Sequence, residues 1–185
     1  MTATAFYKVE LDLTTSTQDD WLAARMTGLT GSDALAALGL DPYKSRFALW
    51  LEKRSGVRDN DDNERTLAGR ILEPAVKQLF TAKTGRKVRD LNVLARSIEH
   101  PFMLATPDGE VVDDDNAGYE GKTTTVWLRD DWANDEVPLR ALAQGAHYMA
   151  VLGWQRVYFA ALIDNLVHVR VVERDDTFIA QLIER

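Results

Sequence analysis

At Gly85 the hydrophobic period of the chain changes, and that change bounds the fold more tightly than any other feature. Over 64–84, Leu67, Ile71, Leu72, Ala75, Val76, Leu79 and Phe80 recur at helical spacing, which predicts one long helix stopped by the glycine. Pro74 lies inside this pattern and should cost a hydrogen bond and bend the helix near Glu73. After Gly85 the runs are short and strand-like: 87–94, 102–106, 110–112 and 119–125, with 113–118 as a turn. A helix-then-sheet order of this kind builds a sheet with helices packed on it.

The flanks complete the layout. Ser and Thr followed by Asp19 and Asp20 predict a capped helix over 15–26, and a second, short helix is expected over 32–38, stopped by Gly39 and the Asp41-Pro42 turn. Ser45 can cap a third helix carrying Phe47, Leu49, Trp50 and Leu51, after which 56–63 is polar enough for an exposed loop and a candidate moving element. Beyond the strands, Pro138 suits a first helical position, so a helix is expected over 138–153. Strands 156–163 and 166–173 should form a hairpin around Asp164-Asn165, and a last helix fills 175–185. With 185 residues, 45% of them apolar, the chain can bury one core. The expectation is a single α/β (α+β) domain over 1–185, a central mixed sheet flanked by helices.

Composition narrows the chemistry. Without cysteine there are no disulfides, thiolate zinc sites or iron–sulphur clusters, which sets aside the iron–sulphur nucleases. Any metal must sit on oxygen or on three histidines, which points to a hard cation such as magnesium. No apolar run approaches the roughly 18 residues that would span a bilayer, and the first ten residues lack the order of a secretory signal. A cytoplasmic protein with no membrane partner is expected. The net charge of −7 does not exclude nucleic acid, because a site that gathers carboxylates for metal is acidic by construction and the placement of the 22 Lys and Arg decides DNA contact.

Pro107-Asp108, followed after a hairpin by Glu120-Gly121-Lys122, is the strongest local feature. Strand alternation puts Glu120 and Lys122 on one face. Phosphodiester hydrolysis needs oxygen ligands for one or two magnesium ions and a cation to steady developing charge. Asp108 and Glu120 would be ligands, the Gly121 carbonyl a third, and Lys122 would hold the attacking water or the phosphate. Taken alone, the same residues also suit an ordinary turn and a solvated strand face.

Further motifs accompany these in order: Trp21 with Arg25, Thr30-Gly31-Ser32, Gly69 to Glu73, Thr84-Gly85, Ala105-Thr106-Pro107-Asp108-Gly109, and Gln144 with Tyr148. Together they resemble the PD-(D/E)xK nuclease superfamily, and within it the lambda-exonuclease and YqaJ-like viral recombinase group, across most of the chain. The resemblance implies a restriction-endonuclease-like core in which Glu73 joins Asp108 and Glu120 as a helix-borne metal ligand and Gln144 orients the site's water or lysine. It also implies a pocket for a DNA 5′-phosphate made by Arg25, Ser32 and Thr106, chemistry that suits phosphate because arginine forks onto two oxygens. From the residue alone, Arg25 reads equally as a cation complementing a helix C-terminus. Gln144, His147 and Tyr148 share a helix face, but His147, like His100 and His168, is read as a packing or solvent residue.

The activity implied is a magnesium-dependent 5′ to 3′ exonuclease, with manganese as a substitute and two ions at the site. It would act on double-stranded DNA ends and leave 3′ single-stranded tails for phage-type recombination. A single-strand annealing partner, a ring-shaped homotrimer and a phage or prophage origin in a bacterial host follow from the same resemblance. The alternatives are an endonuclease of restriction or repair type on the same fold and a catalytically inactive DNA-binding module, against which the retention of Asp108, Glu120 and Lys122 together argues.

Overall fold

The computed structural model of the protein describes residues 5–56, 64–125, 130–132 and 136–184. Strand β1 (Tyr7–Asp12) leads into helices α1 (Gln18–Arg25), α2 (Ala34–Ala37), α3 (Arg46–Ser55) and α4 (Glu64–Thr84), with a 3₁₀ turn at Gly31–Asp33 before α2. Strands β2 (Val88–Arg89), β3 (Val93–Ser97), β4 (Leu104–Ala105), β5 (Gly109–Val111) and β6 (Ala117–Thr123) follow. Helix α5 (Leu139–Leu152), the hairpin β7 (Arg156–Ile163) and β8 (Leu166–Glu173), and helix α6 (Asp176–Glu184) complete the order. Of the loop expected at 56–63, residues 57–63 lie outside the described residues.

Local chemistry accounts for most element ends. Thr17 caps α1 through a reciprocal box with Asp20, each side chain bonding the other's backbone N–H at 3.2 and 3.0 Å. Ser45 Oγ accepts from Ala48 N at 3.1 Å at the start of α3, and Gly56, Gly85 and Gly153 follow helix ends with positive φ. Helix α4 continues through Pro74 over its full 21 residues. Pro138 stands one place earlier than expected: with ψ 141° it is extended and occupies the cap position, and Leu139 is the first helical residue.

The strands correct the sequence reading in three places. The expected strand 87–94 is two strands in different sheets, because Asn92 takes a left-handed backbone (φ 49°) and turns the chain between them. Strand β3 then pairs with β1, an antiparallel partner the pattern did not reveal. Strand β6 begins at Ala117, two residues before the expected start, since the turn occupies 112–116 and ends on the left-handed backbone of Asn116 (φ 61°).

Among the described residues there are two sheets, one ordered β1-β3-β4 and one ordered β2-β5-β6-β7-β8. In the larger, β6 and β7 run parallel while the other neighbours are antiparallel, so the central sheet is mixed, as expected. Helix α4 covers one face, with Val76 and Phe80 against Tyr119, Tyr158 and Ala160. Helices α5 and α6 cover the other, where Met149, Val151 and Ile179 belong to the core that takes Val157, Phe159 and Ile163. Phe80 and Phe159 are fully buried, and each such ring contributes roughly 1.5–3 kcal/mol on leaving water. No helix among the described residues is long and apolar enough to cross a membrane.

Candidate active site

Alternation along β6 sorts its side chains between the two helical layers. Tyr119 packs toward α4, and a Cβ on Gly121 would lie 3.7 Å from Val76, whereas a Cβ on Gly118 would strike the Trp154 ring at 2.1 Å, on the α5 side. Glu120 and Lys122, in phase with Gly118, therefore face α5. There Gln144 meets both: its Oε1 accepts from Lys122 Nζ at 2.8 Å and its Nε2 donates to Glu120 Oε1 at 2.7 Å. Lys122 Nζ also donates to Glu120 Oε1 at 2.7 Å.

Asp108 reaches the same place from the neighbouring strand. The β5–β6 register sets Gly109 opposite Tyr119, so the residue before β5 falls beside Glu120. Its Oδ2 accepts from Gly121 N at 2.8 Å. Glu73, half-buried on α4, lines the same cavity as Asp108 and Glu120. The acids strain against one another: burial and then the Glu120 charge push the Asp108 carboxyl well above the usual carboxylate range, and burial, with Glu120 adding, raises Glu73. Burial works against the Lys122 ammonium, but Glu120 and Asp108 outweigh it and hold the group charged above its ordinary range.

Three buried oxygens here make no hydrogen bond within the protein: Glu120 Oε2, Thr106 Oγ1 and the Tyr119 hydroxyl. A buried carboxylate oxygen without a partner asks for a cation or water. Among the described residues no group of three or more His, Asp and Glu side chains is arranged to hold a metal ion unaided. Two adjacent carboxylates, one with an unpaired oxygen, nevertheless fit magnesium, which binds through one or two carboxylates and keeps several waters.

A cavity of about 940 Å³ joins these acids to the expected anion pocket, since Arg25, Ser32 and Thr106 line it together with Glu73, Asp108 and Glu120. Arg25 closes α1, which satisfies the helix-end reading, yet its guanidinium stacks 4.4 Å over Trp21 and donates to Ser32 Oγ at 2.9 Å and Thr30 Oγ1 at 3.2 Å. Gly31 is needed for the approach: a Cβ there would stand 2.7 Å from the Tyr148 ring. A smaller cavity of about 290 Å³, lined by Thr66, Gly69, Gly121, Lys122 and Thr123, opens on the same three acids from another side.

All of the residues singled out from sequence thus border one connected site: Arg25, Ser32 and Thr106 at the large cavity, Glu73, Asp108 and Glu120 at both, Gln144 at the large one, Gly121 and Lys122 at the small one. Sequence reasoning set Tyr148 beside Gln144 but gave it no role; its hydroxyl donates to Thr106 O at 3.1 Å and accepts from Gln144 at 2.8 Å, tying the two halves together. It passed over Arg70, which lines both cavities three residues before Glu73, a spacing that sets it on the same helix face. His147 stands apart, buried with Nε2 2.8 Å from Leu104 O, and burial lowers its pKa to about 4. His100 packs 6.1 Å from the Phe102 ring, and His168 sits half-buried on β8 opposite Ala161.

A family model described as "YqaJ-like viral recombinase domain" matches residues 20–155, which include every residue of this site. The uncharacterized protein YqaJ of Bacillus subtilis (strain 168) is 37% identical over 166 residues, covering 88% of this chain and 52% of that protein. The chain therefore spans about half the length of that relative. Among solved structures, the alkaline exonuclease LHK-Exo of Laribacter hongkongensis in complex with dAMP has a similar fold, with a TM-score of 0.76 at 23% identity over 89% of this chain and 87% of that one. A phage-related exonuclease of Haemophilus somnus is similar at a TM-score of 0.61, with 11% identity over 84% and 88% of the two chains.

Proposed function

The chain belongs to the family of the YqaJ-like viral recombinase domain, and from that membership we propose that it is a magnesium-dependent nuclease that degrades duplex DNA 5′ to 3′ from a phosphorylated end. The product would be a 3′ single-stranded tail suited to recombination by strand annealing. One observation carries the reading: a single cavity is bordered at one place by Arg25 and Ser32 and at another by Asp108 and Glu120. An arginine paired with hydroxyls can grip a terminal phosphate, and the acids beside it can serve the next phosphodiester. End recognition and cutting are then one event.

Asp108, Glu120 and Glu73 would hold the magnesium, with the Gly121 carbonyl as a further ligand. When bound, the ion supplies a polarised phosphate and an activated water at neutral pH. Lys122, kept cationic by the acids and aimed by Gln144, stabilises negative charge gathering on the phosphate, and the preorganised bonds spare it from reorienting during the reaction. The similar fold of LHK-Exo was solved with dAMP, and a cavity of about 940 Å³ accommodates a nucleoside monophosphate of that class. Manganese as a substitute metal, a second metal ion, an annealing-protein partner and a ring of three subunits belong to the same proposal and rest on the family resemblance.

The test is a linear duplex labelled at its 5′ end, incubated with magnesium beside a covalently closed circular duplex. Early release of labelled mononucleotide with the circle left intact is expected. Release from the 3′ end, or nicking of the circle, would overturn the polarity or the end requirement.

A further inference from the structure

Behind the hydroxyls that Arg25 touches lies a second layer of charge. Asp33, 7% exposed, accepts through one oxygen, Oδ2, from Thr30 N at 2.9 Å and from Thr30 Oγ1 at 2.8 Å. The same oxygen is paired with Lys53 Nζ at 2.7 Å, and Lys53 also donates to Arg25 O at 3.0 Å. Lys53 comes from α3, so a residue distant in sequence is inserted beneath the turn that carries Thr30 and Ser32. Because the Thr30 hydroxyl donates its hydrogen to Asp33, its oxygen is left to accept from Arg25.

We infer that Lys53 is a positioning residue for 5′-phosphate recognition, cancelling the Asp33 carboxylate so that it does not compete with the DNA end for Arg25. The inference rests on the proposed phosphate pocket and deepens it. One hydroxyl separates Asp33 from Arg25, a spacing at which an uncompensated buried carboxylate is a strong competitor for the guanidinium and repels an incoming phosphate. Lys53 removes both effects. A pair that merely held the fold together would respond similarly to loss of either member, whereas this arrangement is asymmetric. Removing the lysine exposes a negative charge at the pocket; removing the aspartate leaves a positive one, which phosphate tolerates.

The experiment measures equilibrium binding of one linear duplex carrying a 5′-phosphate and of the same duplex carrying a 5′-hydroxyl, in EDTA so that no cutting occurs. Thermal melts establish that each variant is folded at the assay temperature. Wild type is expected to favour the phosphorylated end by about tenfold or more. Lys53→Met should lose that preference, Lys53→Arg should keep most of it, Asp33→Asn should keep it, and the double variant Lys53→Met/Asp33→Asn should regain it. If Lys53→Met does not fold, Asp33→Asn and the double variant decide the matter. Retention of the preference in a folded Lys53→Met, its loss in Asp33→Asn, or failure of the folded double variant to show it, overturns the inference. A wild type that binds both ends equally removes the phosphate pocket itself, and the role of Lys53 with it.

Discussion

Gln144 on α5 holds Lys122 on β6 by a hydrogen bond of 2.8 Å from the ammonium to the amide oxygen. The same amide donates to Glu120, so one neutral side chain fixes both the cation and a candidate metal ligand. Gln144→Leu, close in volume, deletes both bonds and is expected to slow single-turnover cleavage by roughly 10- to 100-fold. Lys122→Ala should be slower still, by orders of magnitude, while duplex affinity falls only a few-fold because other cations still contact the backbone. Rates and dissociation constants measured together decide this; a loss of binding that matches the loss of rate would assign both residues to DNA contact.

Magnesium should stabilise the fold. Burial and the Glu120 charge raise the Asp108 carboxyl above its unfolded value, so the metal-free protein binds an extra proton relative to the unfolded chain and its stability falls as pH rises through that shifted range. A divalent cation relieves the repulsion and competes with the proton, so the gain in melting temperature should grow from acid toward neutral pH. Asp108→Asn removes one ligand and one charge together. Its melts should be higher than wild type in EDTA and nearly insensitive to millimolar magnesium. A wild-type melting temperature unmoved by the ion at neutral pH would contradict the proposed site.

His147 makes the fold acid-sensitive. Its ring is buried, and burial lowers the pKa from 6.5 to about 4. Below about pH 6.5 the unfolded chain takes up a proton that the folded chain refuses until pH 4, so stability drops across that window by about 3 kcal/mol in full. His147→Gln, which can still donate to Leu104 O, should lose most of this slope. Denaturant unfolding of both proteins at pH 7 and pH 4.5 gives the difference directly. Parallel pH dependence in the two proteins would show that other groups set the acid limit.

The pattern of the chain carries what is local. Asp164 and Asn165 both adopt positive φ, as a two-residue hairpin turn demands, and the step of two between Glu120 and Lys122 places them on one face whatever surrounds them. What it hides is contact across distance. Strand β1 is mostly exposed and gains its identity from pairing with β3, more than 80 residues away by the register Tyr7 to Ser97. Asn92 reads as a strand residue and Asn116 as one of several turn residues until their backbone angles are known. The Lys53–Asp33 pair links two elements whose spacing has no helical or strand period, so nothing in the one-dimensional pattern announces it.

Arg25 provides the sharpest test of the anion pocket, because its guanidinium is already oriented by the Trp21 ring and by the Ser32 hydroxyl. If it grips a terminal phosphate as a charge-assisted pair, that energy exists only when the end carries the phosphate. The protein should then degrade 5′-phosphorylated duplex faster than 5′-hydroxyl duplex. Arg25→Ala should slow the phosphorylated substrate strongly and the hydroxyl substrate much less, so that the ratio of the two rates collapses. Arg25→Lys should restore the ratio only in part, since a single ammonium cannot reproduce the planar fork or its stacking on the indole. A variant that slows both substrates by the same factor would place Arg25 in the support of α1 or in general backbone contact. The terminal phosphate would then have to be bound elsewhere along the cavity, where Arg70 and Lys77 are the remaining cations.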